Sequence, residues 1–131
     1  VVIVPSILIT DDDRDFRETI REVFEGRGFR TFIAGDGEQA LKVVTMQEIH
    51  LALVDMHMPR WTGIETMQRI RQSRRSLPWI LISAQLDDNI RSQAADAYCV
   101  LSKPIGFREL TTAVVSAIRA TYNWPDFMAE I

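Results

Sequence analysis

The chain has 131 residues, 47% apolar and 25% charged, with a formal net charge of −3. That length fits one domain with a real core, and the balance is that of an ordinary globular protein. The acidic charge weighs against nonspecific nucleic-acid binding, no apolar stretch is long enough to span a bilayer, and the single Cys99 excludes an internal disulfide and fits a reducing cytoplasm.

Along the chain, strand-like and helix-like segments alternate. Val1-Val2-Ile3-Val4 has no charged leader and does not read as a signal peptide. The missing initial methionine reads as processing or trimming. Ser6 to Thr10 is a short apolar run with β-branched residues, followed by the acidic triplet Asp11-Asp12-Asp13. From Arg14 to Arg27, Phe16, Ile20, Val23 and Phe24 recur on one face of a helix, with Gly26 and Gly28 offering a left-handed stop. Arg30 to Ala34 reads as a strand, and Gly35-Asp36-Gly37 as a turn. A helix follows with Ala40, Leu41 and Val44 on its inner face. Leu51 to Val54 is apolar at consecutive positions, as expected of a parallel strand covered on both faces.

Asp55 ends that run. Gly63 to Ser73 carries Ile64, Met67 and Ile70 as a helix, and Pro78 introduces a strand over Trp79 to Ser83. Arg69, Arg71, Arg74 and Arg75 read as a solvated helix end rather than a DNA contact. Asp87 to Ala97 is a short helix of weak register. Tyr98 to Leu101 is a fifth strand, with Cys99 as a buried inert thiol. The cleanest helical period runs from Phe107 to Tyr122, through Leu110, Ala113, Val114, Ala117, Ile118 and Thr121. Asn123 to Ile131 reads as a tail or the start of a linker.

Five such β-α units predict an α/β fold: a doubly wound, five-stranded parallel sheet with helices on both faces. Ligands of such sheets bind at the carboxyl ends of the strands. There the apolar runs end in Asp11-Asp12-Asp13, in Asp55, and in Lys103-Pro104. Clustered carboxylates repel one another, so they persist where a divalent cation or a lysine neutralises them. Three acids and one lysine point to a hard-metal phosphate site with oxygen ligands suited to Mg²⁺.

Taken together, Asp11-Asp12, Asp55 with Met58-Pro59 and Gly63, Ser83-Ala84 and Lys103-Pro104 resemble the receiver domain of two-component response regulators. The resemblance covers residues 6–122 and implies the flavodoxin-like receiver topology. It implies Asp55 as phosphoacceptor, charged by a histidine kinase or histidine phosphotransfer protein. Asp12 resembles the direct Mg²⁺ ligand, and Asp11 the neighbour that holds a metal-bound water. Asp55 and the backbone carbonyl of His57 complete the protein's metal ligands. Ser83, Ala84 and Lys103 are expected at the phosphoryl group, Ser83 as the switch hydroxyl, and the His57 side chain as a modulator of hydrolysis. Asp13 reads instead as the opening of the first helix.

The implied function is that of a cytoplasmic signalling switch. It is not an enzyme beyond catalysing its own phosphorylation and autodephosphorylation, it makes no nucleic-acid or membrane contact, and a homodimer formed on phosphorylation is admitted. The sequence departs from the pattern at Val100, three before the lysine, where the family usually has an aromatic residue; Tyr98 shares its strand parity. The segment between Ser83 and Lys103 is also short, so the fourth helix is expected to be abbreviated. Two other functions compete with this one. A phosphorylation-independent binding module on this fold gains nothing from the complete acid, hydroxyl and lysine set. A metal-dependent aspartyl-phosphate phosphohydrolase would need Thr or Val where Asp15 stands, together with cap sequence for which there is little room.

Overall fold

The computed structural model describes residues 3–124. The strands are β1 (Ser6–Thr10), β2 (Arg30–Ala34), β3 (Leu51–Asp55), β4 (Trp79–Ser83) and β5 (Cys99–Ser102). The helices are α1 (Arg14–Glu25), α2 (Gly37–Met46), α3 (Gly63–Ile70), α4 (Asp88–Gln93) and α5 (Phe107–Tyr122). All strand pairs are parallel, in the order β2-β1-β3-β4-β5. The chain therefore starts in the middle of the sheet, winds to one edge, and reverses between β1 and β3. The expected doubly wound sheet is present.

Strand alternation divides the core into two layers. Leu8, Ala52, Val54, Trp79 and Leu81 pack against α2, α3 and α4. Ile7, Ile9, Leu51, Leu53, Ile80 and Ile82 pack against α1 and α5. β1, β3 and β4 are buried at every position, which explains their uninterrupted apolar runs. Edge strands β2 and β5 are mostly half-buried.

Local chemistry sets the helix starts. The Asp13 carboxylate accepts the N–H groups of Asp15 and Phe16, Asp36 caps α2, and Asp87 caps α4. Thr62 and Glu65 form a reciprocal capping box on α3. Several expected boundaries move. α1 ends at Glu25 and Gly26 is right-handed, so Gly28, at φ 90, supplies the left-handed turn. α3 ends at Ile70 rather than Ser73, because the Gln72 to Leu77 segment turns back through short-range bonds to Arg69, Ile70 and Arg74. α4 has six residues and Ile90 alone buried, so a weak apolar face stops it well short of Ala97. β5 starts at Cys99, leaving Tyr98 exposed ahead of it. On α5, Thr121 is exposed and Thr111 is buried, its hydroxyl donating to the carbonyl of Phe107 at 2.9 Å. The arginines divide: Arg69 lies over the Trp61 ring at 4.2 Å, Arg71 meets Asp96 at 3.6 Å, and Arg74 donates to Ile49 O at 2.8 Å. Cys99 is half-buried, and burial raises its thiol pKa, as expected of an unreactive thiol. The expected tail lies outside the described residues from residue 125 onward.

One glycine bears directly on the site. The Gly63 N–H donates to Met56 O at 3.0 Å, closing the loop after β3. A Cβ at Gly63 would overlap the backbone carbonyl of Asp55. Gly63→Ala is therefore expected to destabilise the fold by roughly 1–3 kcal/mol, the range for overpacking. Urea denaturation checks this, and an unchanged midpoint would contradict the close approach.

Candidate functional site

Strand parity assembles the site. Positions 7, 9 and 11, positions 51, 53 and 55, and positions 99, 101 and 103 run along the α1/α5 face of β1, β3 and β5, with Ile80 and Ile82 of β4 between the last two. Asp11, Asp55 and Lys103 therefore leave the carboxyl edge on the same side. Backbone bonds hold that edge in register: Asp11 N–H to Ala34 O at 3.1 Å, Met56 N–H to Ile82 O at 2.8 Å, and Lys103 N–H to Ser83 O at 2.9 Å.

Lys103 Nζ lies 3.0 Å from Asp11 Oδ2 and 3.3 Å from Asp55 Oδ1. The two carboxylates are 2% and 5% exposed, so each feels the other's charge with little water between them. Asp12 is exposed beside them, and one carboxylate oxygen from each of the three acids lies within 4.8 Å of the others. Burial first, then the charge of Asp11, pushes the Asp55 pKa up to about 6, against the opposing pull of Lys103. Burial also raises Asp11, although the Asp13 N–H and Lys103 hydrogen-bond to it. Burial disfavours the Lys103 charge, but its bonds to Asp11 and Asp55 outweigh that and hold its pKa above the usual value.

One ammonium thus faces three carboxylates. This surplus of hard oxygen donors, two of them buried, fits a divalent cation of the Mg²⁺ type. Asp11, Asp12 and Asp55 are the residues placed to hold it, and His57 follows Asp55 in the loop.

Other expected residues approach from elsewhere. Ser83 shares the parity of Trp79 and Leu81, so it reaches the rim from the α4 side. Its buried hydroxyl donates to Gln85 O and accepts the Gln85 N–H at 3.2 Å, a local turn that occupies it. His57 is exposed, with Nε2 3.4 Å from Ser83 Oγ. Ala84 is exposed and, with Lys103, lines a groove of 680 Å³ whose apolar wall includes Phe16, Ile105 and Phe107. Val100 packs into the layer shared with α4, whereas Tyr98, 45% exposed, does not replace the missing aromatic.

Two supporting residues escaped the sequence reading. Phe16 places its ring 4.3 Å from Lys103 Nζ, and Arg17 donates to Asp11 O at 2.8 Å. Both lie on α1, where helical period marked Phe16 only as core and gave no signal for Arg17.

The sequence profile described as "Response regulator receiver domain" matches residues 7–115. The chain belongs to the response regulator receiver family. The receiver is 36% identical over 121 residues to the transcriptional regulatory protein CpxR of Escherichia coli (strain K12), covering 89% of this chain and 50% of that protein. It thus spans about half the length of such curated relatives. It is 36% identical over 111 residues to sporulation initiation phosphotransferase F of Bacillus subtilis (strain 168), covering 83% of this chain and 90% of that protein. The crystal structure of response regulator TrrA from Thermotoga maritima, in complex with Mg²⁺–BeF, matches with a TM-score of 0.79 at 28% identity, covering 87% of this chain and 99% of that one. Receivers are phosphorylated signalling modules of two-component systems rather than enzymes in general, and membership implies histidine kinase or phosphotransfer partners. Among the described residues no helix is long and apolar enough to cross a membrane.

The raised Asp55 pKa carries a stability consequence in metal-free buffer. Between its ordinary 3.8 and about 6, the native receiver binds more protons at Asp55 than the unfolded chain does. Stability therefore falls as pH rises through that window, and by pH 7 the ionised group costs on the order of 3 kcal/mol. In EDTA, Asp55→Asn is expected to unfold at higher urea than wild type at pH 7, with the gap closing near pH 4. Equal midpoints at pH 7 would show that Lys103 already compensates the charge.

Proposed function

We propose that Asp55 is the phosphoacceptor of this receiver and that its phosphorylation, dependent on Mg²⁺, shifts the face built around α4. The observation that carries this reading is the burial of Asp55 between Lys103 and the Asp11–Asp12 pair. A pKa of about 6 leaves most of Asp55 ionised at neutral pH, so it is a competent nucleophile. One carboxylate oxygen forms the O–P bond while the N–P bond of a donor phosphohistidine breaks and its electron pair stays on the imidazole nitrogen. Asp11, Asp12, Asp55 and the His57 carbonyl would hold Mg²⁺, which would supply the positive charge that lets a phosphoryl group approach a carboxylate.

Lys103 gives up part of its pairing with Asp55 and donates to a phosphoryl oxygen instead. Ser83 exchanges its bond to Gln85 O for another phosphoryl oxygen, which draws the β4–α4 loop toward Asp55. α4 is the element with least to resist that movement, since Ile90 is its one buried residue. With Val100 in place of an aromatic, the shift runs through this loop and helix rather than through a ring rotation. The apolar groove beside Lys103 is suited to dock the kinase or phosphotransfer donor.

Incubation with acetyl phosphate and Mg²⁺ is expected to add one phosphoryl group by intact mass, and EDTA should abolish the addition. Equal incorporation into Asp55→Asn would remove Asp55 from the role. Metal binding should also stabilise the receiver by mass action, raising its Tm in millimolar-range Mg²⁺.

Lys103→Ala is expected to fold, because the side chain lies at the rim rather than in either core layer. Removing the cation between Asp11 and Asp55 leaves the acids less compensated, so Mg²⁺ affinity should hold or rise a few-fold. Spectral change on beryllofluoride binding should be lost. A variant that keeps that change would exclude Lys103 as the reader of the phosphoryl group.

A further inference from the structure

At the amino ends of the strands, opposite the acidic site, an imidazole takes the place of a backbone partner. His50 precedes β3, and its N–H donates to Ser6 O at 2.9 Å. Its ring Nδ1 accepts the Ser6 N–H, also at 2.9 Å, which adds a side-chain rung to the β1–β3 pairing. Accepting requires a bare Nδ1, so neutral His50 carries its proton on Nε2, 3.2 Å from Glu48 Oε1.

The same residue anchors the end of α5. Tyr122 donates its hydroxyl to His50 O at 2.7 Å. The imidazole meets Tyr122 and Trp124 edge-to-face, with centroids 5.6 and 4.9 Å away. Tyr122 and Trp124 stack on each other at 4.6 Å. Asn123, between them, takes the left-handed conformation at φ 53 that ends α5.

We propose that His50, Tyr122 and Trp124 form a proton-controlled latch, which fixes the chain's exit from α5 against β1 and β3 while His50 is neutral and releases it when His50 is protonated. A proton on Nδ1 sets two N–H donors against each other across the bond to Ser6. The ring must then turn or withdraw, and its edge contacts with Tyr122 and Trp124 go with it.

The charged groups around the ring act in both directions. Burial disfavours the cation most, Glu48 favours it, and Arg74 and Arg30 oppose it, so the pKa lies below the ordinary 6.5. Arg74 is fixed by its bond to Ile49 O at 2.8 Å. Tyr122 stays neutral throughout, because burial raises its phenol. The latch is therefore fully formed above pH 6.5 and weakens as pH falls below it.

The test is an NMR titration of the 131-residue chain between about pH 7.5 and 5, the range in which imidazoles change charge. The Trp124 indole N–H resonance is expected to shift with the same midpoint as the His50 ring nitrogens, below 6.5. In His50→Gln the Trp124 profile should be flat, whereas His57→Gln, at the chain's other histidine, should keep it. Trp124→Ala uncovers the ring and should raise the His50 midpoint toward 6.5. Should His50→Gln fail to fold, the wild-type ring nitrogens still decide, because the latch requires the Nε2–H tautomer at neutral pH. An Nδ1–H tautomer, a Trp124 resonance that ignores the His50 midpoint or follows His57, or a His50 midpoint unmoved in Trp124→Ala would each overturn the proposal.

Discussion

Two carboxylates, Asp11 and Asp55, are buried at the ends of adjacent strands with a single lysine between them. Burial of charge is unfavourable unless the charge is paired, and here the pairing is incomplete. The rest of the carboxyl edge is arranged around that shortfall. Gly63 lets the loop after β3 close over the Asp55 carbonyl, Arg17 holds the Asp11 carbonyl, and the Phe16 ring lies beside the Lys103 ammonium. The result is a site with a standing preference for added positive charge, and neutralisation by a cation would relieve a repulsion the fold already contains.

The sheet separates the acid–lysine cluster from the α4 side. Asp11, Asp55 and Lys103 come from the α1/α5 side, whereas Ser83 and Val100 belong to the α4 side. A change at Asp55 must therefore cross the sheet edge to matter beyond the site, and Ser83 is the side chain at that crossing. Its hydroxyl is satisfied within its own turn by Gln85. Under the proposed function, a phosphoryl oxygen at Asp55 would compete with that neutral carbonyl, since a charge-assisted bond is roughly twice as strong as a neutral one. α4, short and held by one buried residue, lies directly downstream.

How legible this was in the sequence depended on how many residues carried each signal. β1, β3 and β4 were visible because both faces of each are buried, which leaves unbroken apolar runs, those of β1 and β3 ending at carboxylates. The acid pair followed from those runs, since adjacent parallel strands bring their carboxyl ends together, and Lys103 followed from the shorter run of β5. α4 was not legible in extent, because alanines and a single isoleucine set no clear period and a cap at Asp87 marks only its start. On a helical wheel Thr121 falls inside the apolar stripe and Thr111 at its edge, yet burial reverses them: Thr121, at the helix end, is exposed, whereas Thr111 is buried and bonded to the carbonyls of Phe107 and Arg108. The orientation of Ser83 toward Gln85 was invisible, since two hydrogen-bond partners compete for one hydroxyl and sequence does not rank them.

His50 shows the same limit in a sharper form. Its ring partner Ser6 is 44 residues away, and Tyr122 is 72 away, so no local pattern announces the cluster. Yet β1 and β3, the strands that deliver Asp11 and Asp55, are the strands whose other ends His50 ties together. Five residues per strand separate the two ends by about 17 Å at ~3.3 Å per residue. That exceeds the screening length of roughly 8 Å at physiological ionic strength, although the dry interior screens less. The charge on Asp55 therefore has little direct purchase on the His50 proton. What the two ends share is the backbone of β1 and β3, which carries Asp55 at one end and adjoins at the other the His50 carbonyl that Tyr122 bonds. Under the proposed function and the proposed latch, the two ends take separate inputs: phosphorylation at the carboxyl end acts on Ser83 and α4, and protonation at the amino end acts on the exit of α5.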